Sequence, residues 1–352
     1  ADRKTLKCPN GIVLGTPGSG KSFFAKREMA NAFFATNDHI LILDPENEYT
    51  ALTEQLHGQT IYLAPDSHSY LNPMDLDLST DVGESPMLMQ ADFLLSQCEL
   101  MMASYGNPLM PIEKSLIDRC ISLVYRDYLK NPRPENMPVL GDLYQCLREQ
   151  HNSRADDLAT AMEIYVTGSL SYLNHRTNVD LNNRMVCYNT SKLGQGLKKL
   201  VMSNVQKHIW QRTAVNRYAG ITTRIFLDEF HLLLKEPQTA AYTAEIYKRF
   251  RKWNGIPTSL TQNVKDLLDS SEIENILENS DFVLMLNQGA SDRNILAQRL
   301  GISPQELSHV TNSSEGEGLL FFGDKIIPFE DKFPRDTQLY RVMTTKPSDL
   351  AA

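Results

Sequence analysis

Apolar runs of strand length alternate with helix-like stretches near the start of the chain and again in its second half. Gly11–Leu14 and the centre of His39–Asp44 are continuous apolar runs, which is typical of parallel strands covered on both faces. Between them, residues 21–36 place apolar side chains at helical spacing. Further strand-length runs lie at residues 60–63, 185–188, 224–227, 256–260 and 282–286, and a hairpin is predicted at 319–329. The alternation predicts an α/β fold with a mainly parallel, doubly wound sheet.

The pattern changes between residues 84 and 174, where strand signals disappear and apolar side chains follow helical spacing. One stripe includes Leu94, Leu95 and Cys98, and a second runs through residues 116–128. A proline-rich stretch at residues 131–138 predicts a connection between helices. We therefore predict an all-helical insert at residues 84–174, within a core formed by residues 1–83 and 175–352.

Composition places the chain among ordinary globular proteins. It has 352 residues, of which 41% are hydrophobic and 22% are charged, and its formal net charge is −8. This charge argues against a strongly basic nucleic-acid binder, although a local basic patch stays compatible with it. The five cysteines lie far apart and form no C-x-x-C pair, so reduced thiols in a cytoplasmic setting are expected.

No apolar run reaches the length of a membrane span, and no signal peptide is evident. Any membrane association is therefore expected to be peripheral, or to be carried by another chain or an upstream domain. The first strand and the candidate phosphate loop come almost immediately, and this suggests that such an upstream domain is missing here.

Residues 15–22 match the phosphate-loop pattern G-x-x-x-x-G-K-[ST] in full, between the first predicted strand and the first helix. The eight residues are Gly15, Thr16, Pro17, Gly18, Ser19, Gly20, Lys21 and Ser22. Glycines let backbone N–H groups turn toward phosphates, and the helix N-terminus adds partial positive charge. We expect Lys21 to reach the β- and γ-phosphates of ATP and the Ser22 hydroxyl to ligate Mg²⁺.

Paired acids follow the apolar strand at residues 224–227. Asp228 comes directly after this strand, where ligands bind in open α/β sheets, and can hold hydrated Mg²⁺. Glu229 can polarise the attacking water as a general base. The second acid favours an enzyme that activates water over a nucleotide kinase.

Three further residues end strands that we expect at the same edge of the sheet. Asp44 and Glu48 follow the second strand and can tune the water or the metal; the alternative is an ordinary strand-ending turn with Pro45. Gln262 follows the strand at residues 256–260. It would face the γ-phosphate and sense hydrolysis if that strand lies between the Asp228 strand and the phosphate-loop strand.

A cluster of cations closes the helix predicted at residues 239–252. Cations at a helix C-terminus are favourable in themselves, but Arg251 or Arg249 can also reach a neighbouring subunit's γ-phosphate as an arginine finger. Lys252 offers a further contact to phosphate or nucleic acid. The eight histidines show no metal-ligand spacing, and His231 is interpreted as a packing residue or one that supports the acids.

The ordered set of motifs resembles the HerA–FtsK superfamily, and within it the large ATPase of type IV secretion and conjugation systems in its Gram-positive conjugative form. The resemblance covers nearly the whole chain. It rests on residues 15–22, 44–49, 71–75, 226–229, 251–255, 261–263, 318–323 and 327–329. The phosphate loop alone is not specific to this family, whereas the ordered set is.

This resemblance implies a RecA-like P-loop core with an all-helical insert. It also implies a homo-hexamer at the cytoplasmic face of the inner membrane, which uses ATP with Mg²⁺ to power pilus assembly or substrate transfer. Partners would be other channel subunits, including the coupling protein, with nonspecific DNA contact left open. Arg251 is the candidate that the family supports for the contact in trans. Trp253 departs from the basic residue expected there, which weakens a nucleic-acid role for this helix end.

Other functions stay open at this stage. A DNA translocase or coupling protein of the same superfamily would show strong stimulation of its ATPase by DNA. A small-molecule kinase is disfavoured by Asp228 and Glu229, by the large insert and by Gln262. A scaffold that binds nucleotide but hardly hydrolyses it would be insensitive to Glu229→Gln in both turnover and assembly.

Overall fold

The apolar runs form one nine-stranded sheet in the computed structural model, which describes residues 3–78, 85–103, 109–268, 271–346 and 349. The strands are β1 Gly11–Leu14, β2 His39–Asp44, β3 Gln59–Tyr62, β4 Met185–Asn189, β5 Thr223–Leu227, β6 Gly255–Thr261, β7 Phe282–Met285, β8 Glu317–Phe322 and β9 Lys325–Glu330. Their order across the sheet is β3-β4-β2-β5-β6-β1-β7-β8-β9. From β4 to β7 neighbouring strands pair in parallel, and β8 and β9 extend the sheet as an antiparallel hairpin. The predicted α/β fold with a mainly parallel sheet is confirmed.

Two compact units make up the chain. The first comprises Ala1–Thr60, Asn182–Asn189 and Val215–Ala352, and the second comprises Ile61–Leu181 and Thr190–Ala214. Between residues 85 and 181 the described residues form helices and turns but no strand, as the sequence predicts for the insert. The boundaries at residues 84 and 174 stay predictions.

Helices follow the periodic segments of the sequence. They are α1 Lys21–Ala35, α2 Thr50–Gln55, α3 Pro86–Ala103, α4 Pro111–Val124, α5 Arg126–Lys130, α6 Leu140–Arg148, α7 Ser153–Val166, α8 Gln195–Tyr218, α9 His231–Leu234, α10 Pro237–Arg249, α11 Val264–Leu268, α12 Ile273–Glu278, α13 Ala290–Leu300, α14 Pro304–Leu307 and α15 Gln338–Met343. Caps fix some of the ends: the Asn152 side chain, for example, accepts the amides of Arg154 and Ala155 where α7 begins. None of the helices in the described part of the chain combines the length and apolar character that crossing a membrane requires.

The core of the first unit lies between its sheet and the helices that cover it. Ile12, Val13 and Leu14 of β1 are fully buried, as are the four apolar residues of β2. Strands buried on both faces are what parallel βαβ connections produce. Consequently the carboxyl ends of β2, β5, β6 and β1 lie side by side at one edge of the sheet. The candidate site residues follow the ends of these strands. β6 lies between β5 and β1, so the condition that the sequence sets for Gln262 is met.

Candidate functional site

The phosphate loop connects β1 to α1, and two of its glycines adopt conformations that other residues rarely take. Gly18 has a φ of +74° and Gly20 a φ of +100°. A Cβ atom added at Gly15 would clash with Ser19 Oγ and would lie 3.0 Å from Leu286 Cβ. Left-handed backbone and close packing therefore explain why this turn is built from glycine.

Lys21 begins α1, and its side chain folds back over the loop. Its Nζ donates a hydrogen bond to the Thr16 carbonyl oxygen at 3.2 Å. Burial lowers the pKa of Lys21, while the nearby carboxylates of Glu229, Asp228 and Glu48 oppose that shift. The loop cation thus lies in the field of the acids that follow β5 and β2.

Asp228 stands at the carboxyl edge, one residue after β5 ends. Its amide donates to the Leu43 carbonyl oxygen at 3.2 Å, which holds it beside the end of β2. Burial, followed by the charges of Glu48 and Glu229, raises the pKa of Asp228 to about 8. Asp228 therefore lies among uncompensated negative charges, which a bound divalent cation would neutralise.

Glu229 is held by a hydrogen bond to one of its two carboxylate oxygens. Gln262 Nε2 donates to Glu229 Oε1 at 2.9 Å. His231 Nδ1 lies 3.2 Å from Glu229 Oε2, but this oxygen is buried with no hydrogen-bond partner among the described residues. The structure therefore brings Glu229 and Gln262, two residues that the sequence predicts for the site, into direct contact. It also adds His231, which the sequence suggested only as a packing or supporting residue.

The two acids after β2 have different surroundings. Asp44 is fully buried, and its carboxylate accepts the amides of Glu46, Glu48 and Tyr49 at 3.3, 3.0 and 3.0 Å. It therefore folds the loop that follows β2. Glu48 instead lines the cavity described below, and its Oε2 is buried with no hydrogen-bond partner among the described residues.

The candidate arginines lie at the opposite edge of the sheet. Arg251 is exposed, and its Nη1 donates to Cys8 Sγ at 3.2 Å, whereas Arg249 Nε donates to Glu245 Oε2 within α10 at 2.9 Å. Both arginines precede β6 while Gln262 follows it, and a strand of this length spans about 20 Å. Neither arginine is therefore positioned to reach the phosphate loop of its own chain.

One cavity of about 850 Å³ collects most of the predicted site residues, and its size is within the range of small-molecule sites. Those that line it are Pro17, Gly18, Gly20, Lys21, Ser22, Glu48, Asp228, Glu229 and Gln262. The phosphate loop and the acids after β5 thus share one space within the first unit.

The chain after β9 forms another part of this cavity, which the sequence did not predict. Phe333, Tyr340 and Lys346 are among the lining residues. The Phe23 ring of α1 packs 5.8 Å from Phe333 and 5.4 Å from Tyr340, measured between ring centroids. No motif or period marks these positions, because packing of segments more than 300 residues apart brings them together.

Oxygen donors at the cavity suit a magnesium ion. Ser22, Asp228 and Glu48 all line it, and Glu48 Oε2 has an unused lone-pair position. Within the described residues, no group of three or more His, Cys, Asp and Glu side chains could hold a metal ion by itself. Mg²⁺ commonly binds one or two carboxylates together with water and substrate phosphates, so these residues fit that ion in company with a triphosphate.

Comparisons with known proteins agree with this arrangement. The family model of the TraG P-loop domain matches residues 1–315. None of the curated protein sequences matches the chain.

Solved structures show the same fold. VirB4 of Thermoanaerobacter pseudethanolicus has a TM-score of 0.83 at 23% identity, covering 99% of this chain and 94% of that chain. The plasmid coupling protein TrwB in complex with the ATP analogue ADPNP has a TM-score of 0.62 at 13% identity, covering 94% and 87%. TrwB in complex with ADP and Mg²⁺ gives 0.59 at 12% identity, covering 94% and 87%. The predicted RecA-like P-loop fold is confirmed.

Proposed function

We propose that this chain hydrolyses ATP in the cavity at the carboxyl edge of its sheet. The chain belongs to the TraG P-loop domain family and is a P-loop ATPase of a conjugation or type IV secretion machine. The observation that carries this proposal is that Lys21, Asp228, Glu229 and Gln262 all line that one cavity. A triphosphate on the phosphate loop would lie within reach of both the cation and the acids.

Each of these residues has a role in hydrolysis that follows from its chemistry. Backbone amides of residues 15–20 and the Lys21 ammonium bind the phosphates. Glu229 accepts a proton from the attacking water, and Gln262 holds that carboxylate at one oxygen. When the γ-phosphate leaves, Gln262 loses a neighbour and relays this change toward β6.

Magnesium completes the site when bound. Ser22 and Asp228 would hold it, with Glu48 as a third oxygen donor, and its charge would stabilise the phosphate oxygens. A bound cation would also explain why Asp228 lies beside Glu48 and Glu229, although burial and these two charges raise its pKa to about 8. TrwB has been solved with ADP and Mg²⁺, which supports the same pairing here.

The nucleoside end of ATP would point away from Glu229. The remaining cavity wall is partly aromatic and includes Phe333 and Tyr340, which suits a planar base. Adenine would therefore lie against the segment that follows β9.

Assembly into a homo-hexamer would complete the site. Arg251 is exposed at the sheet edge remote from its own phosphate loop, so it can act only on the nucleotide of a neighbouring subunit. The hexamer would act at the cytoplasmic face of the inner membrane, in contact with other channel subunits including the coupling protein, and would power pilus assembly or substrate transfer.

ATP turnover of the Glu229→Gln variant tests the proposed site. The amide cannot take up the proton of water, so we expect a loss of about 10²-fold or more in turnover, with retained binding of a fluorescent ATP analogue in the presence of Mg²⁺. Wild-type turnover in this variant would refute the assignment of Glu229 as the general base. If the substitution changed neither turnover nor assembly, a scaffold that binds nucleotide but hardly hydrolyses it would be favoured.

Duplex DNA distinguishes the two motor functions. Turnover of a secretion ATPase should change little when DNA is added, whereas strong stimulation would favour a DNA translocase or coupling protein. The net charge of −8 and the presence of Trp253 in place of a basic residue support the first outcome.

A further inference from the structure

The phosphate loop is anchored on both sides where it leaves β1. The Gly15 amide donates to the Thr261 carbonyl oxygen at the end of β6, at 3.4 Å, and the Thr16 amide donates to the Asn287 carbonyl oxygen at 2.9 Å. Asn287 lies two residues after β7, and β1 pairs with both β6 and β7. Of these two flanking strands, only β6 has a role in the proposed function, through Gln262.

Thr16 and Asn287 are also joined through their side chains. Thr16 Oγ1 donates to the Asn287 carbonyl oxygen at 3.2 Å, and Asn287 Nδ2 donates to Thr16 Oγ1 at 3.4 Å. A threonine hydroxyl has one hydrogen and two lone pairs, so donation to the carbonyl oxygen leaves a lone pair for the side-chain amide. Three hydrogen bonds therefore connect the second residue of the phosphate loop to residue 287.

The rest of the loop folds back onto the Thr16 carbonyl oxygen. This oxygen accepts the Ser19 amide at 3.2 Å and the Lys21 ammonium at 3.2 Å. The turn in between contains glycines at positive φ, and glycine backbone has many accessible conformations. Contacts from outside the turn are therefore needed to keep its amides in one arrangement, and Thr16 receives them.

The segment that carries Asn287 is itself firmly held. The Leu286 amide donates to the Leu14 carbonyl oxygen at 2.8 Å, and the Gln288 amide donates to the Val310 carbonyl oxygen at 3.1 Å. Both neighbours of Asn287 in the chain are buried. A side chain on such a fixed segment can restrict the loop that it contacts.

The Asn287 side chain contributes a hydrogen-bond donor rather than an acceptor. Its Oδ1 is buried with no hydrogen-bond partner among the described residues, and an unpartnered polar atom destabilises the fold. An apolar side chain at this position would avoid that cost. What the asparagine adds is therefore the hydrogen bond from Nδ2 to Thr16 Oγ1.

We propose that Asn287 is a positioning residue for the triphosphate: its side chain holds Thr16, and through Thr16 it keeps the loop amides and Lys21 in the arrangement that binds phosphate. This inference rests on the proposed function, because it acts through the phosphate site assigned there. Asn287 is not among the described residues that line the cavity, so its effect passes through the loop. A loop that is already ordered binds more tightly, because it loses less conformational freedom on binding.

Asn287→Ala tests this inference, because it removes the side-chain amide and keeps the main-chain hydrogen bonds to Thr16. We expect the Kd of ATP with Mg²⁺ to rise about three- to tenfold, the factor that one ordinary hydrogen bond represents, measured by displacement of a fluorescent ATP analogue. Inorganic tripolyphosphate, used as a competitor, should lose affinity by the same factor, because the phosphates are what the loop binds. KM should rise with Kd while kcat changes little, since the lost interaction serves substrate and transition state alike.

Asn294→Ala is the matched control, because Asn294 is exposed on α13 and its change should leave both affinities at their wild-type values. Thermal unfolding midpoints should show that all variants are folded. An unchanged Kd of ATP in Asn287→Ala would overturn the inference. So would a loss of affinity for ATP without a loss for tripolyphosphate, which would assign the effect to the nucleoside end.

A double-mutant cycle tests whether Asn287 acts through Thr16. Thr16→Val removes the hydroxyl with little change of shape, so adding Asn287→Ala to it should cause no further loss of ATP affinity. The same additional loss in both backgrounds would overturn the inference.

These binding measurements also separate the inference from the proposed function. Glu229→Gln with wild-type turnover would refute the general base and leave the Asn287 result standing. Normal ATP affinity in Asn287→Ala would overturn the inference and leave the catalytic role of Glu229 intact. A wild-type chain that does not bind ATP would overturn both.

Discussion

Asp44 illustrates how one carboxylate at the active edge of the sheet serves structure. Its two oxygens accept three amides of the loop that follows β2, and it is fully buried. Asp44→Asn would put an NH₂ group against at least one of these amides. We expect the free energy of unfolding to fall by about 1–3 kcal/mol, measured by urea denaturation, with turnover per folded molecule retained.

Glu54→Gln is the matched control, because Glu54 is exposed on the neighbouring α2 and its change should leave stability as it is. The opposite pattern, normal stability with lost turnover in Asp44→Asn, would mean that Asp44 acts on the water or the metal, as the sequence also allows.

Lys207 provides a pH dependence in the second unit. Its Nζ donates to the carbonyl oxygens of Pro73 and Asp75 at 2.8 and 2.6 Å, and burial lowers its pKa from 10.5 to about 7. Between these values the unfolded chain binds a proton that the folded chain lacks. The free energy of unfolding should therefore rise with pH from about 7 toward 10.5, by at most about 1.4 kcal/mol per pH unit.

Comparison with Lys207→Met removes this contribution, while groups remote from Lys207 titrate equally in both proteins. In urea denaturation at pH 7, 8 and 9, the free energy of unfolding of the wild type should increase relative to that of the variant as pH rises. Parallel pH profiles for the two proteins would show that Lys207 keeps its proton in the folded state.

At the scale of elements, the sequence predicts what is encoded locally. The glycines of residues 15–20 and the apolar run before Asp228 specify a turn and a strand end by themselves, and parallel pairing then brings strand ends to one edge. The position of β6 between β5 and β1 could be stated only as a condition, because strand order depends on long-range packing. The segment from Phe333 to Lys346 has no local signal for a cavity wall, so only the structure reveals it.

Lys26 connects α1 to that segment. It is 1% exposed, and its Nζ donates to the Met343 carbonyl oxygen, at the last residue of α15, at 3.0 Å. Helix C-terminal carbonyls need such partners and favour a cation. Lys26→Met should therefore loosen α15, which would appear as faster hydrogen exchange at residues 338–346 and a higher KM for ATP. Asn31→Met, on the exposed face of α1, should change neither, and unchanged exchange in Lys26→Met would show that this hydrogen bond does not hold α15.

In the molecule as a whole, the proposed catalytic residues lie at two opposite ends of β6. Gln262 and Glu229 lie at the cavity, while Arg251 is exposed at the other end. In the proposed mechanism a single chain therefore holds the general base Glu229 without Arg251 within reach of it; the arginines that line the cavity in the described part of the chain are Arg27 and Arg335. Turnover per chain should rise with protein concentration, since assembly brings Glu229 and Arg251 together.

Mixing two inactive variants tests this directly. Glu229→Gln keeps Arg251 but lacks the base, and Arg251→Ala keeps the base but lacks the finger. In a mixed assembly, some interfaces pair an intact Glu229 with an intact Arg251 from the neighbour, so ATPase activity should reappear and depend on the mixing ratio. Arg249→Ala is the control: its side chain is paired with Glu245, so the variant should be active alone. Mixtures without any recovered activity, or an Arg251→Ala variant with wild-type turnover, would exclude Arg251 as the residue that acts in trans.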